Sequence, residues 1–415
     1  SYRTLNRFPV HPHMAALIQE PSIQFRMQLE TQGLGDNDAI FIDGTKLEAN
    51  ANKYTFVFRK RVEKSQARLR AQSKAMYETM YEKQIIPALL EESESPVTAE
   101  DLHTMHQALT SIEDEMTDTI DATEDVAERK TIRSERSIIR KTKKKCADLR
   151  DRELKYNAQL ETLGDRNSYS KTDTDATFMR MKEDHMKNGQ LKAGYNLQIA
   201  TNNQFVLGYD LYPNPTDTRT LAPFLHTMLD IFEHLPEKIV GDSGYGSEFN
   251  YEMIMDDYER TALIPYNTYY KEQQKKHKND EMHPANWHYD AKNDRYICPD
   301  GREIRFKRYT NRTDKYGYTR AFKMYESVDC SGCPLYDMCI KSDKQINKRI
   351  QKNMNLEYFK AQVQRQLSVK ENRSIYRQRK VDVETVFGNL KANLSFRRFS
   401  VRGARKVKLE TGLAL

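Results

Sequence analysis

The sequence predicts an α/β protein with a mixed sheet and helices, interrupted by one long helical insertion and one smaller insertion that contains cysteines. Two short apolar runs, residues 39–42 and 238–240, have the composition of buried strands, and each leads directly into an aspartate. Between them, residues 58–162 contain little glycine or proline and many strong helix formers. Four of the five cysteines lie within residues 298–339, a segment too irregular to continue the sheet.

Composition limits the classes of protein to which this chain can belong. Its 415 residues exceed what one hydrophobic core usually organises, so we expect two or three domains, or one domain with large insertions. Hydrophobic residues make up 38% and charged residues 31%, and no run approaches the roughly 20 apolar residues of a membrane span, which argues against a membrane protein. No signal-peptide pattern opens the chain, so we expect a cytoplasmic location. Because the sequence begins at Ser1 without a methionine, we also expect residues missing upstream.

The first strand and the helical insertion follow from local sequence patterns. Residues 39–42 are apolar and partly β-branched, and an Asp-Gly pair follows them, so we expect the strand to end there and to present Asp43 at its carboxyl end. Residues 58–164 are predicted to form a helical hairpin or a short coiled coil, interrupted at Pro87 and Pro96.

The remaining strands of the predicted sheet follow the helical insertion. Two strand-like runs, residues 195–200 and 205–209, are separated by turn-forming residues and indicate a β-hairpin. Asp217 is predicted to cap the helix that follows it. Strand 238–240 leads into a glycine-rich turn that presents Asp242, so a second carboxylate is expected at the same edge of the sheet.

A third acidic residue of interest is Glu384, because residues 371–394 have helical composition and its apolar neighbours recur at helical spacing. Asp242 lies 199 residues after Asp43 and 142 before Glu384, so only a folded sheet can bring the three together. Three carboxylates without histidine or thiolate suit a hard cation, Mg²⁺ or Mn²⁺, and two such ions about 3.5 to 4 Å apart support phosphoryl transfer. Taken singly, the aspartates fit ordinary turns and Glu384 an exposed helix position, where Asp382 competes for its role.

Four sequence blocks strongly resemble the DDE transposases of bacterial insertion sequences. They are FIDGTKLEANANKYTF around Asp43, DATFMRMKEDHMKNGQLKAGYNLQIAT from Asp175, IVGDSGYGS around Asp242 and VETVFGNLK around Glu384. The resemblance implies a ribonuclease H-like catalytic core in which the three acids bind the metal ions. We accordingly expect a core at residues 37–57, 165–265 and 371–415, a helical insertion at 58–164, a cysteine-bearing insertion at 266–370 and a remnant of an N-terminal helical region at 1–36.

In this family the last carboxylate often lies in a signature of tyrosine, two residues, arginine, three residues, glutamate, six residues and lysine. Tyr376, Arg379, Glu384 and Lys391 nearly reproduce this signature, with one additional residue between the arginine and the glutamate. The additional residue leaves open whether Arg379 or Lys380 contacts a phosphate, since Lys380 lies four residues before Glu384 on the same helix face.

Positive charge is concentrated near the C-terminus. Residues 373–408 hold 11 basic and two acidic residues, as expected of a surface that neutralises phosphates. The predicted phosphate contacts beyond the signature are Arg397, Arg398, Arg402, Arg405 and Lys406. The alternatives are a solvated helix face or pairing with the acidic residues of 91–128. A second basic stretch, residues 129–145, is the next candidate for DNA binding.

The cysteine segment is the candidate for a second metal site. Cys298 opens a turn typical of zinc knuckles, and Cys330, Cys333 and Cys339 could complete four thiolate ligands of a structural Zn²⁺. The alternative is that these are reduced, buried cysteines, as we expect for Cys146 in the helical insertion. Three histidines could replace one of the ligands: His277, His283 and His288.

The resemblance implies a transposase that binds the ends of its own element and cuts and joins DNA with Mg²⁺ or Mn²⁺. Its partners would be transposon ends and target DNA, and the active complex is expected to be a homodimer. Two alternatives are a catalytically inactive DNA-binding relic or regulator, and a metal-dependent nuclease without strand transfer. Metal-dependent nicking distinguishes the relic from the two enzymes, and joining of a 3′-hydroxyl end distinguishes the two enzymes from each other.

Overall fold

The computed structural model describes residues 8, 11, 13–34, 38–86, 95–181, 189–232, 234–341 and 346–415. The described strands are β1 (Ala39–Glu48), β2 (Phe56–Phe58), β3 (Ser168–Ser170), β4 (Thr177–Arg180), β5 (Leu191–Asn202), β6 (Phe205–Tyr212), β7 (Lys238–Val240), β8 (Thr261–Leu263), β9 (His288–Asp290), β10 (Arg295–Ile297), β11 (Glu303–Thr313), β12 (Thr319–Ser327) and β13 (Arg349–Lys352). The described α-helices are α1 (Met14–Thr31), α2 (Arg59–Glu82), α3 (Ala99–Ala122), α4 (Val126–Leu163), α5 (Leu221–Phe232), α6 (Glu248–Glu252), α7 (Tyr269–Gln273), α8 (Lys275–Lys278), α9 (Tyr336–Cys339), α10 (Met354–Ser368), α11 (Lys370–Gly388) and α12 (Ala404–Ala414). Helices and strands alternate along much of the chain, which confirms the predicted α/β class.

The chain divides into two compact units. The first consists of Ser1–Glu48 and Tyr195–Leu415, and the second of Ala49–Gly194. The predicted helical insertion at residues 58–164 lies within the second unit, and the core boundaries given above remain a prediction. Among the described residues, no helix combines the length and the apolar character that a membrane span requires.

The main sheet of the first unit has the strand order β6–β5–β1–β7–β8. β1, β7 and β8 are parallel neighbours, with Phe41 opposite Val240 in the β1–β7 register. Asp43 and Asp242 each follow two residues later, and Asp242 keeps an extended backbone at φ −81° and ψ 176°. Because neighbouring strands lie about 4.8 Å apart, this register places the two aspartates side by side.

The first strand is longer than its sequence predicts. We expected it to end before Asp43, but β1 continues through Asp43 to Glu48. Beyond the end of β7, the backbone of residues 397–399 pairs with β1: the Glu48 N–H donates to the Arg397 carbonyl (3.1 Å) and the Phe399 N–H donates to the Glu48 carbonyl (2.9 Å). β1 is therefore paired both before and after Asp43, with β7 at residues 39–41 and with residues 397–399 at Glu48. Asp43 lies within this strand and not in a turn.

The predicted hairpin is confirmed, with β5 and β6 paired antiparallel. Asn203 and Gln204 connect the two strands, and both have positive φ angles, 51° and 68°. A two-residue turn with both residues in the left-handed region matches the twist of the flanking strands.

The core of the first unit lies between this sheet and three helices. Buried residues of β1, β7 and β8 form one cluster with Phe224 on α5, Phe359 on α10 and Val383 on α11. Since Val383 is fully buried, α11 is fixed against the sheet beside its neighbour Glu384.

A second sheet was not predicted. Within residues 266–370, β9 to β13 form a five-stranded antiparallel sheet in the order β13–β12–β11–β10–β9. Its small core contains Trp287, Ile304, Tyr325 and Ile350. The longest pair, β11 and β12, is largely exposed and has an irregular register between Phe306 and Arg308, so an alternation of apolar and polar residues is missing from the sequence.

The described part of the second unit contains three long helices, where the sequence predicts a helical hairpin or a short coiled coil interrupted at Pro87 and Pro96. The helix α3 begins after Pro96 with a capping box in which Thr98 and Asp101 satisfy each other's backbone N–H groups. Glu113 of α3 forms ion pairs with Arg140 and Lys143 of α4, so at least part of the acidic stretch is neutralised by the adjacent basic stretch. The helix interruption predicted at Pro87 lies outside the described residues. So do residues 182–188 of the sequence block that begins at Asp175.

Candidate active site

Asp43 is a buried carboxylate that pairs with Arg379. Its Oδ1 accepts the Gly44 N–H at 2.7 Å, and its Oδ2 accepts Nη1 of Arg379 at 3.2 Å. The residue is only 7% exposed, so the charge of this carboxylate requires compensation. Arg379, which lies 336 residues further along the chain, provides that compensation and joins α11 to β1 at the predicted site.

Asp242 opens a short 3₁₀ turn, Ser243–Tyr245, at the end of β7. Its Oδ1 accepts the Gly244 N–H at 2.7 Å, so the side chain caps its own turn. The turn must contain glycine at position 246, because a Cβ there would lie 2.6 Å from the Pro265 carbonyl oxygen. The Gly-rich sequence after β7 thus forms the tight turn that it predicted.

Glu384 is exposed on α11, and its competitor Asp382 is buried. The Asp382 carboxylate accepts the backbone N–H of Gln204 at 3.0 Å and so attaches α11 to the β5–β6 turn. Since Asp382 already has a structural contact of this kind, Glu384 is the acid of this pair that is accessible to a ligand.

The Arg379 guanidinium, paired with Asp43, also responds to the charges of the other two predicted acids. Burial lowers the pKa of its guanidinium, but the charges of Asp43, Tyr376, Asp242 and Glu384 together raise that pKa above its ordinary value. A single guanidinium that responds to all three carboxylates must lie within the electrostatic reach of each. Of the three predicted acids, Asp43 is the one that Arg379 contacts directly, and the charges of the other two act on the same guanidinium.

The other residues of the predicted signature lie on or just after the same helix. The Arg379 guanidinium lies 6.0 Å from the centre of the Tyr376 ring, and both side chains are half-buried. Lys380 is exposed. Lys391 lies in a π-helical turn, Asn389–Asn393, and its Nζ donates to the Lys46 carbonyl at 3.3 Å. Of the two candidates for the phosphate contact, Arg379 is the one beside the acids.

Whether this site could bind a metal ion depends on the ligand atoms that its side chains offer. Within the described part of the chain, no group of three or more His, Cys, Asp or Glu side chains is arranged to hold a metal ion. Asp43 pairs instead with the guanidinium of Arg379. Their chemistry nevertheless fits a hard divalent cation, because all the donors are carboxylate oxygens and one of them already binds a positive charge.

A fourth acid, Asp217, lies beside the β1 segment of Asp43 and the turn of Asp242, and the sequence did not reveal it. We expected Asp217 to cap a helix, but its carboxylate accepts amide donors from Asn196 and Gln198 on β5. The correction has a physical reason: Asp217 opens a 3₁₀ turn before α5, and this turn directs its side chain toward the sheet. No short-range sequence signal links it to β5.

The basic C-terminal segment lies along the far end of β1. The predicted phosphate contacts are all exposed: Arg397, Arg398, Arg402, Arg405 and Lys406. Arg397 donates from Nε to the Lys391 carbonyl at 3.0 Å, and the backbone of Arg398 forms a parallel bridge with Glu48. The segment therefore continues outward from the strand that carries Asp43.

The four candidate zinc ligands line one cavity: Cys298, Cys330, Cys333 and Cys339. All are free thiols, and Cys330 Sγ accepts the Lys348 N–H at 3.3 Å. Glycines with positive φ, Gly301 and Gly332, follow Cys298 and Cys330, as the tight turns of these two segments require. None of the three candidate histidines lines this cavity: His277, His283 and His288.

The described site is an acidic cluster at the ends of neighbouring parallel strands, beside a helix that supplies arginine and a third acid. Residues 297–415 match the family model described as Transposase DDE domain, so this C-terminal segment is similar to that domain of DDE transposases. The matched segment includes Glu384, Arg379 and the four clustered cysteines, whereas Asp43 and Asp242 precede it. No curated protein and no solved structure matches the chain.

Proposed function

We propose that this protein binds transposon ends and catalyses metal-dependent cleavage and strand transfer of DNA. The observation that carries the proposal is that the β1–β7 register sets Asp43 beside Asp242, while Arg379, on the helix that carries Glu384, pairs with Asp43. The strand order supports the ribonuclease H-like core that the resemblance implies, because it makes β1 and β7, the strands that lead to the two aspartates, direct neighbours. A cytoplasmic location and a homodimeric active complex belong to the same proposal.

Each side chain has a distinct role in this proposal. Asp43, Asp242 and Glu384 would hold Mg²⁺ or Mn²⁺, which supplies the positive charge that activates the attacking water or 3′-hydroxyl and stabilises the leaving oxygen. Arg379 compensates the buried Asp43 in the described state. When a cation takes over that compensation, the guanidinium becomes available to a DNA phosphate, for which its planar fork is well suited.

The proposal is tested with a labelled DNA fragment that carries a transposon end. We expect nicking at the end in the presence of Mg²⁺ or Mn²⁺, none with EDTA, and joining of the exposed 3′-hydroxyl to a target plasmid. Binding without nicking would support the inactive relic or regulator instead. Nicking without joining, under conditions in which the nicked end is present in excess, would support the plain nuclease.

The basic C-terminal segment is expected to contact phosphates. The double variant Arg398→Ala, Arg405→Ala should reduce the slope of log affinity against log salt by about 1.8, since each phosphate contact contributes about 0.9. Salt-titrated DNA binding measures the slope. The matched control is Lys144→Ala, Lys145→Ala, which removes two exposed charges from the second basic stretch. A reduced slope in the control alone would place the DNA along α4.

We also propose a structural Zn²⁺ in the cavity lined by Cys298, Cys330, Cys333 and Cys339. The four thiols are not arranged to hold a metal ion in the described structure, so zinc binding would have to draw them together. A two-residue spacing within one pair suits tetrahedral coordination, and the Lys348 N–H donor at Cys330 would favour the thiolate. Elemental analysis of reduced protein should give one zinc ion per chain. The double variant Cys298→Ser, Cys330→Ser should contain no zinc. The control Cys146→Ser should keep it, because Cys146 is buried among the helices of the second unit. Wild-type protein without zinc would end this proposal.

A further inference from the structure

Asp217 is held against the sheet by two amide side chains. Its Oδ1 accepts Nδ2 of Asn196 at 2.8 Å and Nε2 of Gln198 at 3.2 Å. Both donors are on β5 and are fully buried, so neither has water as an alternative partner. Two donors on one oxygen fix the orientation of the carboxylate.

The same network reaches the turn that carries Asp242. Gln198 Nε2 also donates to Asn196 Oδ1 at 3.0 Å, and Gln198 Oε1 accepts the hydroxyl of Tyr245. Tyr245 is fully buried in the 3₁₀ turn after Asp242. Burial, followed by the charges of Asp217, Asp43 and Asp242, raises the pKa of the Tyr245 phenol, so it stays protonated and remains a donor.

The two carboxylate oxygens of Asp217 face the two aspartate segments. A Cβ on Gly44 would lie 2.7 Å from Asp217 Oδ1 and 2.3 Å from Gln198 Nε2, so only glycine fits beside Asp43. A Cβ on Gly244 would lie 3.6 Å from Asp217 Oδ2 and 2.9 Å from Asp242 Oδ1. Asp217 thus lies between Gly44 and Gly244, the two residues whose N–H groups hold the carboxylates of Asp43 and Asp242.

Backbone contacts reinforce this arrangement. Thr218 Oγ1 donates to the Gly244 carbonyl at 2.7 Å. Asn250 Nδ2 donates to the Thr218 carbonyl at 3.0 Å and to the Tyr245 carbonyl at 2.7 Å. The turn that begins at Asp217 and the turn that begins at Asp242 are therefore one hydrogen-bonded unit.

We propose that Asp217 is a positioning residue of the active site, which sets the separation of Asp43 and Asp242 through the Asn196–Gln198–Tyr245 network. The inference rests on the proposed function in one respect, that the two aspartates bind the catalytic cations. Asp217 acts through these aspartates and has no contact with DNA in this role.

Two substitutions separate positioning from direct cation binding. Asp217→Asn keeps an oxygen that can accept both amide donors, so we expect cleavage within about fivefold of wild type, the range of one net hydrogen bond. Asp217→Ala removes the acceptor and frees both turns. We expect it to lower kcat by about 100-fold, the scale of a 1 Å misplacement, and to raise the Mn²⁺ concentration at half-maximal rate. A direct ligand would instead make Asp217→Asn as inactive as Asp43→Asn, and that result would overturn the proposal.

A control variant and a measurement of amide hydrogen exchange complete the test, and the exchange measurement does not depend on catalysis. Asp230→Ala, an exposed acid on α5, should leave rate and Mn²⁺ dependence unchanged. Amide hydrogen exchange should accelerate in residues 41–46 and 241–246 of Asp217→Ala, but not of Asp217→Asn. Unchanged exchange in both segments of Asp217→Ala would overturn positioning. If wild-type protein cleaves no DNA with any cation, the proposed function fails, and the exchange result alone decides whether Asp217 fixes the two turns.

Discussion

Asp43→Asn, Asp242→Asn and Glu384→Gln are each expected to lower metal-dependent DNA cleavage by about 1000-fold or more, while DNA binding is retained. Each change keeps the shape of the side chain and removes one negative charge from the proposed cation site. Cations stabilise the transition state of phosphoryl transfer by several kcal/mol, and each 1.36 kcal/mol corresponds to a factor of ten. Single-turnover cleavage of an end fragment, with binding measured in parallel, is the appropriate assay.

The matched control is Glu371→Gln, which removes an exposed carboxylate from the same helix, α11. It should retain wild-type cleavage. Asp43→Asn also leaves the half-buried Arg379 without its charged partner, so its thermal stability should fall more than that of Glu384→Gln. Wild-type cleavage in any of the three variants would remove that residue from the site.

The sequence was informative where local patterns determine structure. Strand 238–240 is confirmed without change, and the hairpin follows from two strand-like runs and a turn. Asp43 and Asp242 could be selected because each follows a buried strand, and neighbouring parallel strands bring such positions together. These inferences need only short-range periodicity and the parallel pairing of β1 and β7.

The parts that were missed depend on contacts between distant segments. The extension of β1 to Glu48 requires residues 397–399 as its pairing partner. The role of Asp217 requires β5 amides that no local motif connects to it. The sequence leaves open whether Arg379 or Lys380 contacts a phosphate, and the ion pair of Arg379 with Asp43 joins residues 336 positions apart that helical spacing does not connect. In each case a tertiary contact outweighs the local preference.

Arg379→Ala is expected to have the second large effect, on stability as well as on cleavage. It removes the guanidinium that pairs with the buried Asp43 carboxylate, which we expect to cost about 2–3 kcal/mol in the free energy of unfolding. Added Mn²⁺ should therefore stabilise this variant more than wild type, because a cation at Asp43 replaces the missing guanidinium. Denaturant unfolding with and without Mn²⁺ measures both effects.

Arg379→Lys and Lys380→Ala then separate the two tasks of the arginine. Lysine keeps the charge beside Asp43 but lacks the planar fork, so Arg379→Lys should recover most of the lost stability and little of the lost cleavage. Lys380→Ala should leave stability unchanged and reduce cleavage less than Arg379→Ala, because Lys380 is exposed, whereas Arg379 pairs with the buried Asp43. A larger cleavage defect in Lys380→Ala would transfer the phosphate contact to Lys380, and Arg379 would then serve only as the counter-ion of the buried Asp43.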